Sequence, residues 1–412
     1  MQQRKFLATT VLSIGSLFFS LNASADLPPI KIGVIGPITG KSSEALGESI
    51  IGGARVFVAD TNQMGGIMGR RVELVERDDV AKPELGAALV REMIEKDGVS
   101  AVVGVGNTGV AMEVGKVIQQ LHVPLIVTGA TGAAVTKTYG PPAVPDSYVF
   151  RTSASDALQP IVILNDVIDR RKMTKIAFIH DESPYGMFGK QSVLAELERR
   201  NIKPLDVESY KVGDTDMTAQ MQKIKESGAQ VVVMYGLGAD CAAIAKSAER
   251  IKFKIPMVGS WNMSHQPFSD IAGDAAEGAR MSVTYIDDEF NPTSAEFAIA
   301  YRKLNNVARI PSPATAAQTY DALRLLALAM HQANSTDPVQ VKHALENLRQ
   351  HTTSTVMSRY YLPFSTWDHE AVSLNMLFMG EVRKGKVVYA YKEDADNGMI
   401  ARVKKGQSEA KM

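Results

Sequence analysis

The chain is poor in the residues that most often carry chemistry. Of 412 residues, one is cysteine and seven are histidine. A single thiol, Cys241, excludes any intrachain disulfide. It sits in Ala239-Asp240-Cys241-Ala242-Ala243-Ile244, which reads as helix, so a packed thiol is expected. His180, His265 and His369 are isolated, and no HxxxH or HExxH spacing occurs, so no metal is expected. The pair Gly33 and Gly36 is followed by Pro37, where a dinucleotide-binding helix would have to start. A Gly-x-Ser-x-Gly elbow is absent too. Lys plus Arg equal Asp plus Glu at 45 each, and the balance gives no basic face for nucleic acid. With no cofactor motif and no nucleophile–base arrangement, an enzyme is not expected. Met173, Met187, Met257 and Met263 read as packing or pocket lining.

What is present begins with an export signal. Arg4 and Lys5 precede the uncharged apolar stretch Phe6 to Leu21, and Ala23-Ser24-Ala25 offers small residues for cleavage before Asp26. The stretch falls short of the roughly 20 apolar residues a membrane span needs. Asp26, not cysteine, follows the cut, so no lipid anchor is expected. The expected location is the periplasm, which removes most nucleotide-driven chemistry. The remaining 387 residues (412 less 25), in a chain that is 45% apolar, suffice for two domains.

Short apolar strands then alternate with helices. Strands are expected at 30–36, 71–76, 99–105 and 123–127, with helices at 49–62, 83–97 and 110–121 between and after them. The pattern restarts after Phe150, with strands at 175–180, 230–235 and 256–259 and helices at 190–200 and 241–250. Three more helices follow, at 294–305, 314–334 and 339–348. This is the grammar of α/β folding, with parallel sheets covered by helices on both faces. Residues 396–412 are polar and are expected to fray.

Ordered landmarks give the chain a family resemblance. They are Ile32-Gly33-Val34 to Pro37 with Thr39-Gly40, then Asn62, Gly65-Gly66-Ile67, Gly69-Arg70 and Asp78-Asp79, then Ile271 to Gly278 and Tyr320-Asp321-Ala322. In these the chain resembles the solute-binding proteins of branched-chain amino acid ABC transporters. The resemblance implies a periplasmic-binding-protein type I fold, two Rossmann-like lobes joined by a three-strand hinge. It places lobe one at 27–147 and 283–354, and lobe two at 148–282 and 355–395. It also implies a small carboxylate ligand, closure of the lobes on it, docking of the closed form on the membrane permease of an ABC importer, and a monomer. A periplasmic sensor for a membrane receptor would use the same fold.

Ligands of open α/β sheets bind beyond the carboxyl ends of the strands. That rule selects Gly106-Asn107-Thr108-Gly109 and Thr128-Gly129-Ala130-Thr131-Gly132, whose hydroxyls and backbone N–H groups suit a carboxylate. By the resemblance, Thr108, Gly109, Gly129, Ala130 and Thr131 hold that group. Tyr185 matches an aromatic wall, and Leu237 stands where relatives often have another tyrosine nearby, which implies a roomier or more apolar pocket. Trp261 stands where the amino acid binders carry a glutamate for the ligand ammonium. A buried ammonium without a carboxylate is costly. Either the ligand is an aromatic or aliphatic acid without an amino group, the reading this position favours, or another acid such as Asp181 or Asp240 compensates.

Overall fold

The computed structural model describes residues 27–40, 42–349, 355–398 and Lys404. The leader expected over 1–25 lies outside the described residues, as does most of the tail expected to fray. In the first half, β1 (Ile30–Gly36), α1 (Glu44–Gln63), β2 (Val72–Asp78), α2 (Pro83–Glu92), β3 (Val102–Gly104), α3 (Thr108–Leu121), β4 (Leu125–Val127), α4 (Ala133–Tyr139) and β5 (Val149–Arg151) follow in order. Their strands form one sheet in the order β2-β1-β3-β4-β5, parallel throughout. Inner strands β3 and β4 are wholly buried, as their unbroken apolar runs require.

The chain then crosses to a second sheet through α5 (Gln159–Leu164), β6 (Ile176–Asp181), α6 (Pro184–Arg199), β7 (Asp206–Tyr210), α7 (Thr218–Glu226), β8 (Val231–Tyr235), α8 (Gly238–Arg250), β9 (Met257–Gly259), α9 (Gln266–Ala272) and β10 (Arg280–Val283). It returns to the first lobe for α10 (Pro292–Asn305), α11 (Pro313–Ala333) and α12 (Pro338–Glu346). There α11 packs along α1, with Ala316 and Phe57 in one apolar core. A last crossing leads to β11 (Phe378–Arg383), β12 (Lys386–Tyr389) and α13 (Lys392–Gly398). The second sheet runs β12-β11-β10-β9-β8-β6-β7, with β11 and β12 antiparallel. Two α/β lobes joined by three crossings, at 152–158, 284–291 and 373–377, give the type I periplasmic-binding-protein architecture.

Two boundaries differ from the expectation. β5, assigned above to lobe two, pairs with β4 in the first sheet. Residues 355–372, also assigned to lobe two, pack on lobe one. Phe364 meets Phe150 edge-to-face at 5.0 Å, and the His369 ring stacks on Phe150 at 3.9 Å. Asp321 on α11 accepts from the N–H groups of Val356 and Met357 at 2.6 and 2.9 Å and from Tyr360 at 3.1 Å. The physical reason is burial, since Tyr360, Phe364 and Val372 complete the first-lobe core. β7 was not foreseen; it is a half-exposed edge strand with mostly polar residues.

Helix starts also shift toward the cleft. α6 begins at Pro184, six residues ahead of the expectation, because proline is preset for the first helical position and the Ser183 hydroxyl accepts from Gly186 N–H at 3.4 Å. That shift puts Tyr185 in the first turn. α3 begins at Thr108 rather than Val110, which puts Thr108 and Gly109 at a helix N-terminus.

Candidate functional site

The loops after β1, β3 and β4 face those after β6, β8 and β9 across a cavity of about 260 Å³. That is small against the 300–1,000 Å³ of drug-sized pockets, so it suits a small metabolite. The first lobe contributes Ser43, Leu46, Ala81, Pro83, Gly106, Asn107, Thr108, Gly109, Val110, Gly129 and Thr131. The second contributes Ser183, Pro184, Tyr185, Val212, Leu237, Trp261 and Asn262. Seven of the eight candidate residues therefore meet here. Ala130 does not. Its N–H donates to Val105 and its carbonyl accepts from Ser153, and its methyl packs in the core behind. Neighbouring residues of a tight loop point to opposite sides, and Gly129 and Thr131 take the cavity side.

The first-lobe wall is built to receive negative charge. The opening turn of α3 presents backbone N–H groups beside Thr108 and Gly109. Thr108 Oγ1 accepts from Gly132 N–H at 3.2 Å, which ties the two loops together. Gly129 passes so close to Gly106 that a Cβ would stand 2.8 Å from its Cα. Asn107 Nδ2 donates to Ser43 at 3.0 Å. Ser43 was not singled out from sequence, because α1 was expected to begin five residues later than Glu44. Arg151 stands behind the wall, fully buried. It donates to the carbonyls of Thr131 and Gly132 at 3.1 and 2.9 Å and pairs with Glu370.

The second-lobe wall is apolar at the surface and acidic behind it. Tyr185 donates to Ser260 at 2.6 Å, so its ring rather than its hydroxyl meets the cavity. Trp261 is almost fully buried, its backbone N–H donates to Gln159 Oε1 at 3.0 Å, and its ring stands edge-on to His265 at 4.9 Å. Asp156 lies one contact behind these residues. Its Oδ1 accepts from Tyr235 OH and from Gln159 Nε2, each at 2.9 Å. Burial pushes its carboxyl up to about 7, against the bond from Tyr235 that favours the charge. Asp181 accepts from Ser183 N–H at 2.8 Å and is pushed up to about 6 by burial. Asp240 accepts from Ser42 and Gly213 N–H at 3.0 and 3.2 Å and is pushed up to about 7 by burial. No lysine or arginine among the described residues is bonded to any of the three. None of the three lines the cavity, Asp181 and Asp240, the acids considered above, included. Asp156 was missed; its one signal was a lone charge in the Thr152-to-Ala157 crossing.

His180 Nδ1 donates to the Asp181 carbonyl at 2.8 Å, His265 is held neutral by burial at a pKa of about 3, and His369 stacks on Phe150. Among the described residues no group of three or more His, Cys, Asp or Glu side chains is gathered for a metal. Cys241 is buried in the second-lobe core, and burial raises its thiol.

The raised acids fix the sign of stability against pH. Asp79, Asp156, Asp240 and Asp321 reach about 7 and Asp181 about 6 in the fold, against 3.8 ordinarily. Between those values the native state keeps protons that the unfolded chain has released, so stability falls as pH rises. Thermal unfolding of the ligand-free protein should give a higher Tm at pH 5 than at pH 8. A Tm that climbs toward pH 8 would contradict this assignment.

Two α/β lobes facing each other across a small cavity are the architecture of a periplasmic solute-binding protein. The chain belongs to the periplasmic binding protein family, whose profile matches residues 29–386. Within it, the chain belongs with the substrate-binding proteins of branched-chain amino acid ABC transporters. It is 31% identical over 315 residues to the Leu/Ile/Val-binding protein homolog 3 of Brucella melitensis, covering 76% of this chain and 82% of that protein. It superposes with a TM-score of 0.75 on the branched-chain amino acid transporter substrate-binding protein LivJ of Streptococcus pneumoniae in complex with isoleucine. That match has 25% identity and covers 87% and 97% of the two chains. A solute-binding protein of an R. palustris ABC transporter, in complex with 4-hydroxybenzoate, shares the fold. Its TM-score is 0.71 at 21% identity, with coverage of 88% and 95%. Membership makes this chain a periplasmic binding protein rather than an enzyme, working with a membrane ABC permease.

Proposed function

We propose that the protein captures an apolar α-amino acid of leucine, isoleucine or valine size and presents it, with the lobes closed, to the permease. The observation that carries this reading is the polarity of the cavity. A helix N-terminus and hydroxyls stand on one side, an apolar belt in the middle, and the buried carboxyl of Asp156 behind the other side. A zwitterion with an apolar side chain matches that order. Thr108, Gly109, Gly129 and Thr131 take the ligand carboxylate. Tyr185, Leu237 and Trp261 enclose the side chain, and Asp156 supplies the charge that the glutamate supplies in the amino acid binders. The reading made from Trp261 alone, a ligand without an amino group, thereby loses its main reason. The names of the Brucella and Streptococcus relatives support the amino acid reading.

A pH series separates the two ligand classes. An ammonium pairs with ionised Asp156, so the complex holds fewer protons than the free protein. Leucine affinity should then rise with pH from 5.5 to about 7.5, by at most tenfold per unit. A ligand carrying only a carboxylate would repel ionised acids and bind more tightly as pH falls. Calorimetry in buffers of different ionisation enthalpy reads the proton release directly. Uptake of protons with leucine, or tight binding of 4-methyl-2-oxopentanoate without leucine binding, would overturn the proposal.

A further inference from the structure

Besides the exposed Arg309–Asp270 ion pair at 2.8 Å, a part-buried side-chain bond joins the lobes beside the cavity. Ser42, in the loop between β1 and α1, donates to Asp240 Oδ1 at 3.0 Å, joining residues 198 apart in sequence. Their neighbours, Ser43 and Leu237, line the cavity from opposite lobes. Ser42 sits at φ +60°, a left-handed conformation that costs a serine free energy and that the loop nevertheless holds. Asp240 is in the first turn of α8 and almost fully buried. It faces Asp181 from β6, Asp214 from the loop after β7, and Tyr210 and Cys241 from the second-lobe core. Of these groups only Ser42 belongs to the first lobe.

We propose that the Ser42–Asp240 hydrogen bond is a latch that holds the lobes closed without touching the ligand. The latch rests on the closing-cleft reading above, but it does not depend on which solute is bound. The bond exists only when the lobes are together, so its free energy is differential between open and closed states. A bond of that kind shifts the closed population and slows ligand release. The rate of ligand entry into the open form is untouched. Asp240 needs only its Oδ1 acceptor for this role; Asp181 and Asp214, which repel its charge, share its lobe and act alike in the open and closed forms.

The test compares Ser42→Ala, Asp240→Asn and the parent chain, spin-labelled through Lys96→Cys and Lys254→Cys, exposed positions on separate lobes. Asparagine retains the acceptor and loses the charge. Pulsed dipolar distances in ligand-free protein read the closed fraction, and stopped-flow leucine binding reads the rates. Ser42→Ala should lower the ratio of closed to open forms and raise the leucine off-rate by roughly threefold to tenfold, with the on-rate unchanged. Asp240→Asn should equal or exceed the parent in closed fraction. Equal closed fractions in the parent and Ser42→Ala, zero included, would overturn the latch. So would loss of closure in Asp240→Asn with an unchanged melting temperature. If leucine fails to bind the parent, the amino acid reading falls while the distance comparison still decides the latch.

Discussion

Asp156→Asn should weaken leucine binding by roughly a hundredfold to a thousandfold, because it leaves a ligand ammonium buried without its counter-charge. Asparagine has the same shape as the aspartate it replaces. Its Oδ1 can still accept from Tyr235 and Gln159, so the wall that carries Trp261 keeps its supports. The loss is therefore electrostatic, and the ligand-free fold should be as stable as before or more stable near pH 7, where ionised Asp156 is a burden. The same variant should flatten the rise of affinity between pH 5.5 and 7.5. It should also narrow the preference for leucine over 4-methyl-2-oxopentanoate, which has the same side chain and no ammonium. Calorimetric titration of both ligands against both proteins measures all three effects. Undiminished leucine affinity in Asp156→Asn would remove Asp156 from the site and reopen the question of what balances the ligand.

Arg151→Ala should produce the largest loss of stability of any change near the cleft. The guanidinium is fully buried at the end of β5 and is committed on every side. It meets Glu370, the carbonyls of Thr131 and Gly132, and the Thr136 hydroxyl at 2.9 Å. Removing one partner of such a pair costs about 3–5 kcal/mol, since a carboxylate and two carbonyls lose their donors. For a lobe of this size that is a fall in Tm on the order of 10 °C. Ligand affinity should drop as well, because the Thr131–Gly132 turn is aimed at the cavity by those two carbonyl contacts. A calorimetric scan with and without leucine separates the two effects. A shift of only a degree or two would mean that the pair is not stabilising and that the loop is held by other bonds.

Both predictions concern residues whose part could not be read from their local sequence, while much around them could. Strand–helix alternation with short apolar strands specified the parallel strands of both sheets, because a strand buried on both faces has no polar positions to spare, but not the antiparallel β11 and β12 of the second. Beyond strands β3 and β4, glycine with threonine marked two loops that line the cavity, since only small residues let backbone N–H groups approach a ligand. Trp261 was legible as a departure from the family pattern. Its consequence was not, because the acid we propose to compensate is 105 positions away in sequence and reaches it through Gln159. Helix starts were read late by two to six residues at the cleft, where Ser183-Pro184 and Asn107-Thr108 begin helices before the apolar periodicity does.

The sequence by itself determined the periods of burial, the turns and the residue types at each strand end, all of which are properties of a few neighbouring residues. Only the tertiary structure decided which sheet takes β5, that residues 355–372 complete the first lobe, that Asp156 stands behind Trp261, and that Ser42 meets Asp240. Each of these depends on contacts between segments far apart along the chain. Such contacts arise from joint packing of apolar surface and from the need to pair buried polar groups, and no short stretch of sequence records them.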